Sequence, residues 1–202
     1  MKASRTIQAC AVAGTVAAVV WVIALVIEYQ YGLRPPGNGS SQYKADQAAF
    51  FLAQVGYLAM LIGLFVSRAG GDGRFGRAAI GIWIIAIAAI VLAQALGVLG
   101  VTAVFLLPIG GLGQILGSVL TSVAVWRAGR WTGWRRFTPA IWTVYFFVTI
   151  GAAVAAIPFL SIPAAAPNPV APSPPVEALW QAAWFLLSLA LYIEAGRTPK
   201  PA

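Results

Sequence analysis

Three glutamine residues within otherwise apolar stretches are the side chains best suited to bind a small molecule. Gln54, Gln94 and Gln114 each carry an amide, which can both donate and accept hydrogen bonds. If the three amides converge, they form a polar pocket for a neutral solute. Hydrogen bonds between helices in a membrane contribute about 0.6–2 kcal/mol each, so a structural role also accounts for these residues.

The second group of candidate binding residues lies in a short basic segment. Its arginines alternate with tryptophans, and they are Arg127, Arg130, Arg135 and Arg136. Basic residues beside a membrane attract anionic lipid, with about 1 kcal/mol available for each of them near such a surface. We therefore regard the four arginines as a candidate contact with anionic lipid. Membrane topology alone is a sufficient alternative explanation for them.

Small residues spaced four apart indicate where helices approach one another closely. Gly113 and Gly117 have this spacing, and Gly14 and Gly151 begin similar pairs of small residues. Without large side chains at the contact, the backbones of membrane helices can touch. Packing within one bundle explains these seams. A homodimer interface at Gly113 and Gly117 is the alternative.

The absence of certain residue types from the sequence excludes several kinds of chemistry. It contains no histidine, which excludes histidine-ligated haem and zinc and any nucleophile activated by histidine. Cys10 is the single cysteine, so neither an internal disulfide nor a Cys-x-x-Cys redox centre can form. The sequence shows no catalytic or metal-ligating motif and indicates no cofactor. An enzyme is therefore the least favoured class.

Six long apolar stretches must position these residues. We expect helices over residues 7–27, 46–67, 78–98, 103–126, 140–160 and 176–194. Each approaches the roughly 20 residues that a helix needs to cross a bilayer, where irregular chain facing lipid is not tolerated. Only 9% of the residues are charged, against about 25% in a typical soluble domain. The sequence predicts an all-α polytopic membrane protein, with six transmembrane helices in one domain spanning residues 1–202.

The third and fourth stretches must be separated by a turn, because residues 78–126 contain no charged residue. Gly97, Gly100 and Thr102 predict that this turn falls near residues 97–102. Pro108, shortly afterwards, has two interpretations. It marks either a broken helix that lines a site, as in some transporters, or an ordinary proline near the start of a helix.

Basic residues lie almost entirely on one side of the predicted bundle. With a cytoplasmic N-terminus, the cytoplasmic segments carry eleven lysines and arginines, and the outer segments carry only Arg34 and Lys44. This bias predicts that both termini are cytoplasmic and that the protein lies in the cell membrane. It also explains the net charge of +8 without nucleic acid as a partner.

Aromatic residues near the ends of the stretches predict belts at the two membrane interfaces, with a ligand-binding aromatic cage as the alternative. The residues concerned are Tyr29, Tyr31, Tyr43, Trp126, Trp131, Trp134, Trp142, Trp180 and Trp184. The two longer outer loops, residues 28–44 and 161–175, contain clustered prolines. Such segments favour extended chain, and they cap the outer face, contact a partner or act as linkers.

Two partial resemblances bear on function. Residues 70–77 are similar to the cytoplasmic loop motif of major facilitator transporters, although Gly73 separates Asp72 from Arg74 and the chain has half that family's helices. Six crossings with uncharged interiors resemble, in outline, the substrate-binding subunit of vitamin-type importers. We therefore favour a binding or transport component for a small solute. The alternative is a structural or accessory membrane protein that packs against lipid, a second copy or a partner subunit.

Overall fold

The regular structure of the described residues is helical. The computed structural model describes the backbone of residues 2–31, 41–101, 103, 105–156 and 174–197, and the side chains of residues 4–26, 41, 44–45, 47–101, 103, 105–148 and 179–197. The described chain contains six α-helices, one short 3-10 helix and no strand. This confirms the all-α prediction.

All six predicted helices are present. They are α1 Lys2–Tyr31, α2 Ser41–Val66, α3 Arg74–Val98, α4 Leu106–Ala128, α5 Thr138–Ala156 and α6 Pro174–Ala195. The 3-10 helix, Gly133–Phe137, directly precedes α5. Several helices begin before their apolar stretch, and α3 starts at Arg74 rather than at residue 78. Backbone hydrogen bonding continues until a cap or turn ends it, whereas apolar composition marks only the part of a helix that is removed from water.

Within the described residues, four helical segments are long and apolar enough to cross a membrane. They are Ser4–Val26, Gln47–Val66, Arg74–Val98 and Leu106–Ala128. The part of α6 from Leu179 to Ala195 is a shorter apolar helix. By length and composition, these segments are compatible with a membrane protein.

The helices are arranged in a closed ring. Each helix packs against the next one in the chain, and α6 returns to pack against α1. Buried side chains from all six helices fill the middle of this ring. Within the described residues, α5 makes the least extensive contacts with its two neighbours, so one of its faces is widely exposed.

Four chain segments meet at one end of the ring. The Ser4 hydroxyl donates a hydrogen bond to the carbonyl of Ala195, which joins the start of α1 to the end of α6. The Arg197 guanidinium donates to the Thr132 hydroxyl in the α4–α5 connection, and an arginine of that connection donates to the carbonyl of Arg68 after α2. Every arginine among the described residues belongs to a segment at this end. We call it the basic end.

The turn between α3 and α4 falls where it was predicted. The N–H of Gly100 donates to the carbonyl of Gly97 at 2.9 Å, and the N–H of Val101 donates to that of Leu96 at 2.8 Å. This pair of bonds is a Schellman motif, which requires a left-handed residue just after the helix. Gly100 has φ of +78°, a conformation that other residues adopt only with strain. Its presence at this position explains why α3 ends here.

Pro108 does not break a helix. α4 runs without interruption from Leu106 to Ala128, and Pro108 is its third residue. The first N–H groups of a helix have no partner within the helix, so a proline there removes no hydrogen bond. The broken-helix interpretation of this segment is therefore wrong.

Candidate functional site

An aromatic cluster extends through the middle of the ring. Trp83, Trp142 and Trp184 form its centre, and their ring centroids lie 4.9, 5.1 and 5.6 Å apart. Further described rings in contact with this centre or with one another are Trp21, Phe50, Tyr57, Phe146 and Trp180. The eight rings, here called the aromatic cluster, come from every helix except α4.

Glycine allows α4 to lie directly against the helix that carries Trp83. A Cβ atom added to Gly117 would lie 2.6 Å from the backbone nitrogen and Cα of Trp83, closer than real Cβ contacts allow. A Cβ on Gly113 would lie 2.8 Å from the Cβ of Ala86. These two glycines thus face α3 of the same chain, and their small size brings the two backbones together.

Gly14 lies where three helices meet. A Cβ at this position would lie 2.7 Å from the Cβ of Met60 in α2 and would also meet the hydroxyl of Ser188 in α6. Any larger residue would therefore separate α1 from both of its neighbours. Gly151 belongs to α5, but its packing lies outside the described residues.

Four polar atoms within the aromatic cluster lack a partner among the described residues. The indole N–H groups of Trp21, Trp83, Trp142 and Trp180 have no acceptor in the described part of the chain. Trp83 and Trp142 are completely buried. An unpaired buried donor lowers the stability of the fold by about 1–3 kcal/mol. Each of these groups would therefore gain from a hydrogen bond to an acceptor that does not belong to the chain. A water oxygen or a carbonyl of a bound molecule can serve as that acceptor.

The three glutamines of the predicted pocket occupy different environments. Gln54 and Gln114 are buried, whereas Gln94 is half-buried. None of their amide oxygens accepts a hydrogen bond from a described residue. Because a bond between two amides needs one such oxygen as the acceptor, the three side chains do not bond directly to one another. Their convergence on a shared ligand stays a prediction.

One glutamine shares a helix face with the aromatic cluster, and a second lies close in sequence to a glycine that contacts one of its helices. Gln54 lies between Phe50 and Tyr57 at spacings of four and three residues, which places all three on one face of α2. Gln114 is buried one turn before the glycine that contacts Trp83. Gln94 lies eleven residues beyond Trp83, which is about 16 Å along α3.

Tyr57 and Gln181 form a polar contact that the sequence reasoning missed. The Tyr57 hydroxyl donates a hydrogen bond to the amide oxygen of Gln181, and the Tyr57 ring stacks on Trp184 with centroids 4.3 Å apart. Both residues are buried. A signal was present, because Gln181, Trp184 and Ser188 have the spacing of one helix face.

The belt interpretation is wrong for several tryptophans. Trp142 and Trp184 are buried in the aromatic cluster, and Trp131 is also buried. Trp184 lies eleven residues, or about 16 Å, before the end of α6. This position is near the middle of the bundle, which explains why Trp184 is not at an interface. Trp126 and Trp134 are exposed, and for them the belt stays a prediction. The side chains of Tyr29, Tyr31 and Tyr43 lie outside the described residues.

At the basic end, Asp72 bridges two arginines. Nη1 of Arg68 donates to Asp72 Oδ1 at 2.9 Å, and Arg130 pairs with the other carboxylate oxygen. All three side chains are between 41% and 59% exposed, and we call this group the exposed bridge. Desolvation alone raises the pKa of the Asp72 carboxyl, but the hydrogen bonds and charges of the two arginines outweigh it and lower that pKa. Asp72 thus ties the α2–α3 turn to the α4–α5 connection.

Glu194 also bridges two arginines, but in a buried place. It forms an ion pair with Arg135, and the two side chains are only 12% and 10% exposed. Arg197 lies 3.6 Å from the same carboxylate oxygen, and Arg135 also donates to the Thr132 hydroxyl at 2.8 Å. This group, the buried bridge, ties the end of α6 to the 3-10 helix.

The four arginines predicted to contact lipid therefore divide into two pairs. Arg130 and Arg135 are held by carboxylates of the chain itself. Arg127 is exposed, and the guanidinium carbon of Arg136 lies 4.7 Å from the ring centroids of both Trp126 and Phe137. Neither Arg127 nor Arg136 forms an ion pair with a carboxylate in the described chain.

Comparison with protein families, with curated proteins and with solved structures found no match to this chain. Its function is therefore argued from its own residues. Within the described residues, no three His, Cys, Asp or Glu side chains come together as metal ligands. What the aromatic cluster offers is ring stacking and hydrogen-bond donors.

Proposed function

We propose that this chain is a multi-pass membrane protein that binds a small, largely apolar solute within the aromatic cluster, as a component of a transport system. In this proposal all six helices cross the cell membrane and both termini are cytoplasmic. The basic end supports the orientation, because it gathers the start of α1, the end of α6 and the arginine-rich connections on one side.

Single-cysteine labelling tests the orientation in a Cys10→Ser background. Ser40→Cys and Ser173→Cys should react with an impermeant thiol reagent in intact cells. Gly73→Cys should react only after lysis, and it is a suitable probe because a side chain there meets nothing within 4 Å. Labelling of Gly73→Cys from outside would overturn the proposed topology.

The unpartnered indole N–H groups are the observation that carries the binding proposal. They come from four different helices, α1, α3, α5 and α6, so they surround the axis of the ring rather than line one helix. Protein cores normally satisfy their buried polar groups, and exceptions call for an explanation such as an absent ligand or water. A solute that brings acceptors to this place gains hydrogen bonds that the protein leaves unmade.

The same groups define the chemistry of the solute. A flat or ring-bearing molecule can stack on the indoles, and its carbonyl or ether oxygens can accept from their N–H groups. The unpartnered amide oxygens of Gln54 and Gln114 can accept from an N–H or O–H group of the solute. No charged side chain among the described residues of this centre could pair with a charged solute. A neutral solute is therefore favoured.

The accessory-protein alternative needs a face of small residues exposed to lipid or to a partner. Gly14, Gly113 and Gly117, the described members of the predicted packing set, all face neighbouring helices of the same chain. Their positions therefore favour packing within one bundle and give no support to a partner-binding face at these glycines.

Mass spectrometry of bound small molecules tests the solute proposal. The full chain and a Gln54→Leu/Gln114→Leu double variant are purified in the same detergent, and their organic extracts are compared. One compound should be enriched in the parent protein and depleted in the variant, whose helical circular dichroism should be unchanged. If the parent carries nothing beyond the extract of cells that lack the protein, the solute proposal is wrong.

A tryptophan pair provides a matched control once that compound is known. Trp142→Phe removes one buried donor, and the loss of about 1 kcal/mol for a hydrogen bond should weaken binding about 5-fold. Trp134→Phe is the control, because Trp134 is exposed at the basic end and should not affect binding. Equal affinities of both variants would exclude the indole N–H groups from recognition.

A further inference from the structure

We infer that Arg136 and the exposed groove along α5 form a binding site for one anionic phospholipid. This site lies outside the aromatic cluster and concerns a different ligand, although it rests on the proposed membrane placement. Three features of the described residues support it: a cation that no described carboxylate neutralises, an apolar groove beside that cation, and a groove length that fits one leaflet.

Arg136 provides the headgroup contact. Its guanidinium lies over the rings of Trp126 and Phe137, which hold it at the surface in a defined position. Of the four arginines in this segment, Arg130 and Arg135 already pair with Asp72 and Glu194. A guanidinium with free N–H groups matches the geometry of a phosphate, to which it can donate two parallel hydrogen bonds.

The groove begins at the same place as the arginine contact. It has a volume of about 400 Å³, and its lining is almost entirely apolar. The lining residues are Phe137, Ala140, Ile141, Val144, Tyr145 and Val148. Phe137 belongs to both the groove and the surface beneath Arg136, so a headgroup on the arginine leads directly into the groove.

The length of the groove suits an acyl chain of one leaflet. Its lining residues recur three and four positions apart, which places those of α5 on a single face of that helix, and Phe137 lies just before its start. From Phe137 to Val148 the rise is about 16 Å. Half of the ~30 Å hydrocarbon core is about 15 Å, so a chain anchored at Arg136 would reach the bilayer midplane at the end of the groove.

Thermal unfolding of the purified full chain in detergent tests the site. Phosphatidylglycerol is added as the anionic probe, and phosphatidylcholine with the same acyl chains is the neutral control. Phosphatidylglycerol should raise the melting temperature in a saturable way, and phosphatidylcholine should do so much less. Inorganic phosphate, which carries the charge without the chain, should have little effect. A response to inorganic phosphate equal to that of phosphatidylglycerol would show a simple anion site and overturn the lipid proposal.

Two variants separate the headgroup contact from the groove. Arg136→Ala should weaken the apparent affinity for phosphatidylglycerol about 5-fold, the equivalent of about 1 kcal/mol for one basic residue near the membrane. Val144→Trp should fill the groove and abolish the response to phosphatidylglycerol. Val144 is 61% exposed, so this substitution should leave the fold intact, which circular dichroism checks.

An arginine elsewhere at the basic end provides the control. Arg74→Ala removes the same charge from an exposed position at the start of α3 and should leave the affinity unchanged. If Arg74→Ala and Arg136→Ala weaken binding equally, the lipid responds to overall charge and the proposed site is wrong. The Gln54→Leu/Gln114→Leu variant should still bind phosphatidylglycerol, so this experiment fails or succeeds independently of the solute proposal.

Discussion

Charged groups at the basic end form ion pairs within the chain, whereas several polar groups of the aromatic cluster have no partner among the described residues. At the basic end, Asp72 and Glu194 each have two arginine partners, and both bridges connect chain segments that are distant in sequence. In the aromatic cluster, four indole donors are buried without a partner among the described residues, and so are the amide oxygens of the nearby Gln54 and Gln114. The ion pairs at the basic end hold the helix ends together. In the cluster, the donors and acceptors without partners are available to a ligand.

This difference distinguishes polar groups that stabilise the fold from polar groups that are available to bind a ligand. A polar group that serves the fold loses stability when it is removed, because its partner is left unpaired. A polar group that serves a ligand can be removed without such a loss, and only binding suffers. Four stability measurements in detergent therefore test the comparison, beginning with the largest expected effect.

Removal of Arg135 should destabilise the protein most. Arg135→Ala leaves the buried carboxylate of Glu194 with only Arg197, whose guanidinium lies 3.6 Å away. Loss of one partner from a buried ion pair costs about 3–5 kcal/mol, and the remaining arginine puts this variant at the lower end of that range. The free energy of unfolding in detergent micelles measures the effect.

Two further variants show whether the cost comes from the buried charge. Arg136→Ala removes an exposed arginine next in sequence and should change the free energy of unfolding by no more than about 1 kcal/mol, the size of an exposed cation–π contact. Arg135→Met combined with Glu194→Leu removes both charges and should recover most of the loss. If the double variant is as unstable as Arg135→Ala, packing around these side chains and not the ion pair holds the basic end together.

Gly117 should show the next largest effect. Gly117→Ala places a Cβ against the backbone of Trp83, which cannot move aside as a flexible side chain could. We expect a loss of about 1–3 kcal/mol, as for other overpacked contacts. Gly111→Ala is the matched control in the same helix, because a Cβ there meets nothing within 4 Å. It should be neutral or stabilising by up to about 1 kcal/mol, since alanine is the better helix former.

Gln114→Leu should have almost no cost in stability. The buried amide oxygen of Gln114 has no described partner, so its replacement by a side chain of similar size breaks no bond to that atom. The free energy of unfolding without solute should stay within about 0.5 kcal/mol of the parent or rise. A loss of 2 kcal/mol or more would show that the amide has a structural role, and the comparison between the two regions would fail.

Much of the fold was predictable from the sequence, and much of the candidate site was not. Apolar length found all six helices, and Gly100 marked the α3–α4 turn, because these features depend on local composition and local backbone geometry. The burial of Trp142 and the bridges of Asp72 and Glu194 depend on how the helices are rotated and ordered. Several rotations are compatible with one apolar sequence, so contacts between distant residues could not be deduced.

A similarly small effect is expected at the exposed bridge, where the sign of the pH dependence is the informative measurement. Because Arg68 and Arg130 lower the pKa of Asp72, the ionised carboxylate stabilises the folded protein. This contribution is complete above the usual aspartate pKa of about 3.9 and is lost as the pH falls through the lower pKa of the folded state. Asp72→Asn should therefore be slightly less stable than the parent at neutral pH, and the difference should vanish in acid.

Solvent screens these half-exposed charges, so the loss at neutral pH should be far smaller than that of Arg135→Ala. If Asp72→Asn costs as much as Arg135→Ala, exposure does not distinguish the two bridges, and the α2–α3 turn is held to the α4–α5 connection as firmly as the end of α6 is held to the 3-10 helix.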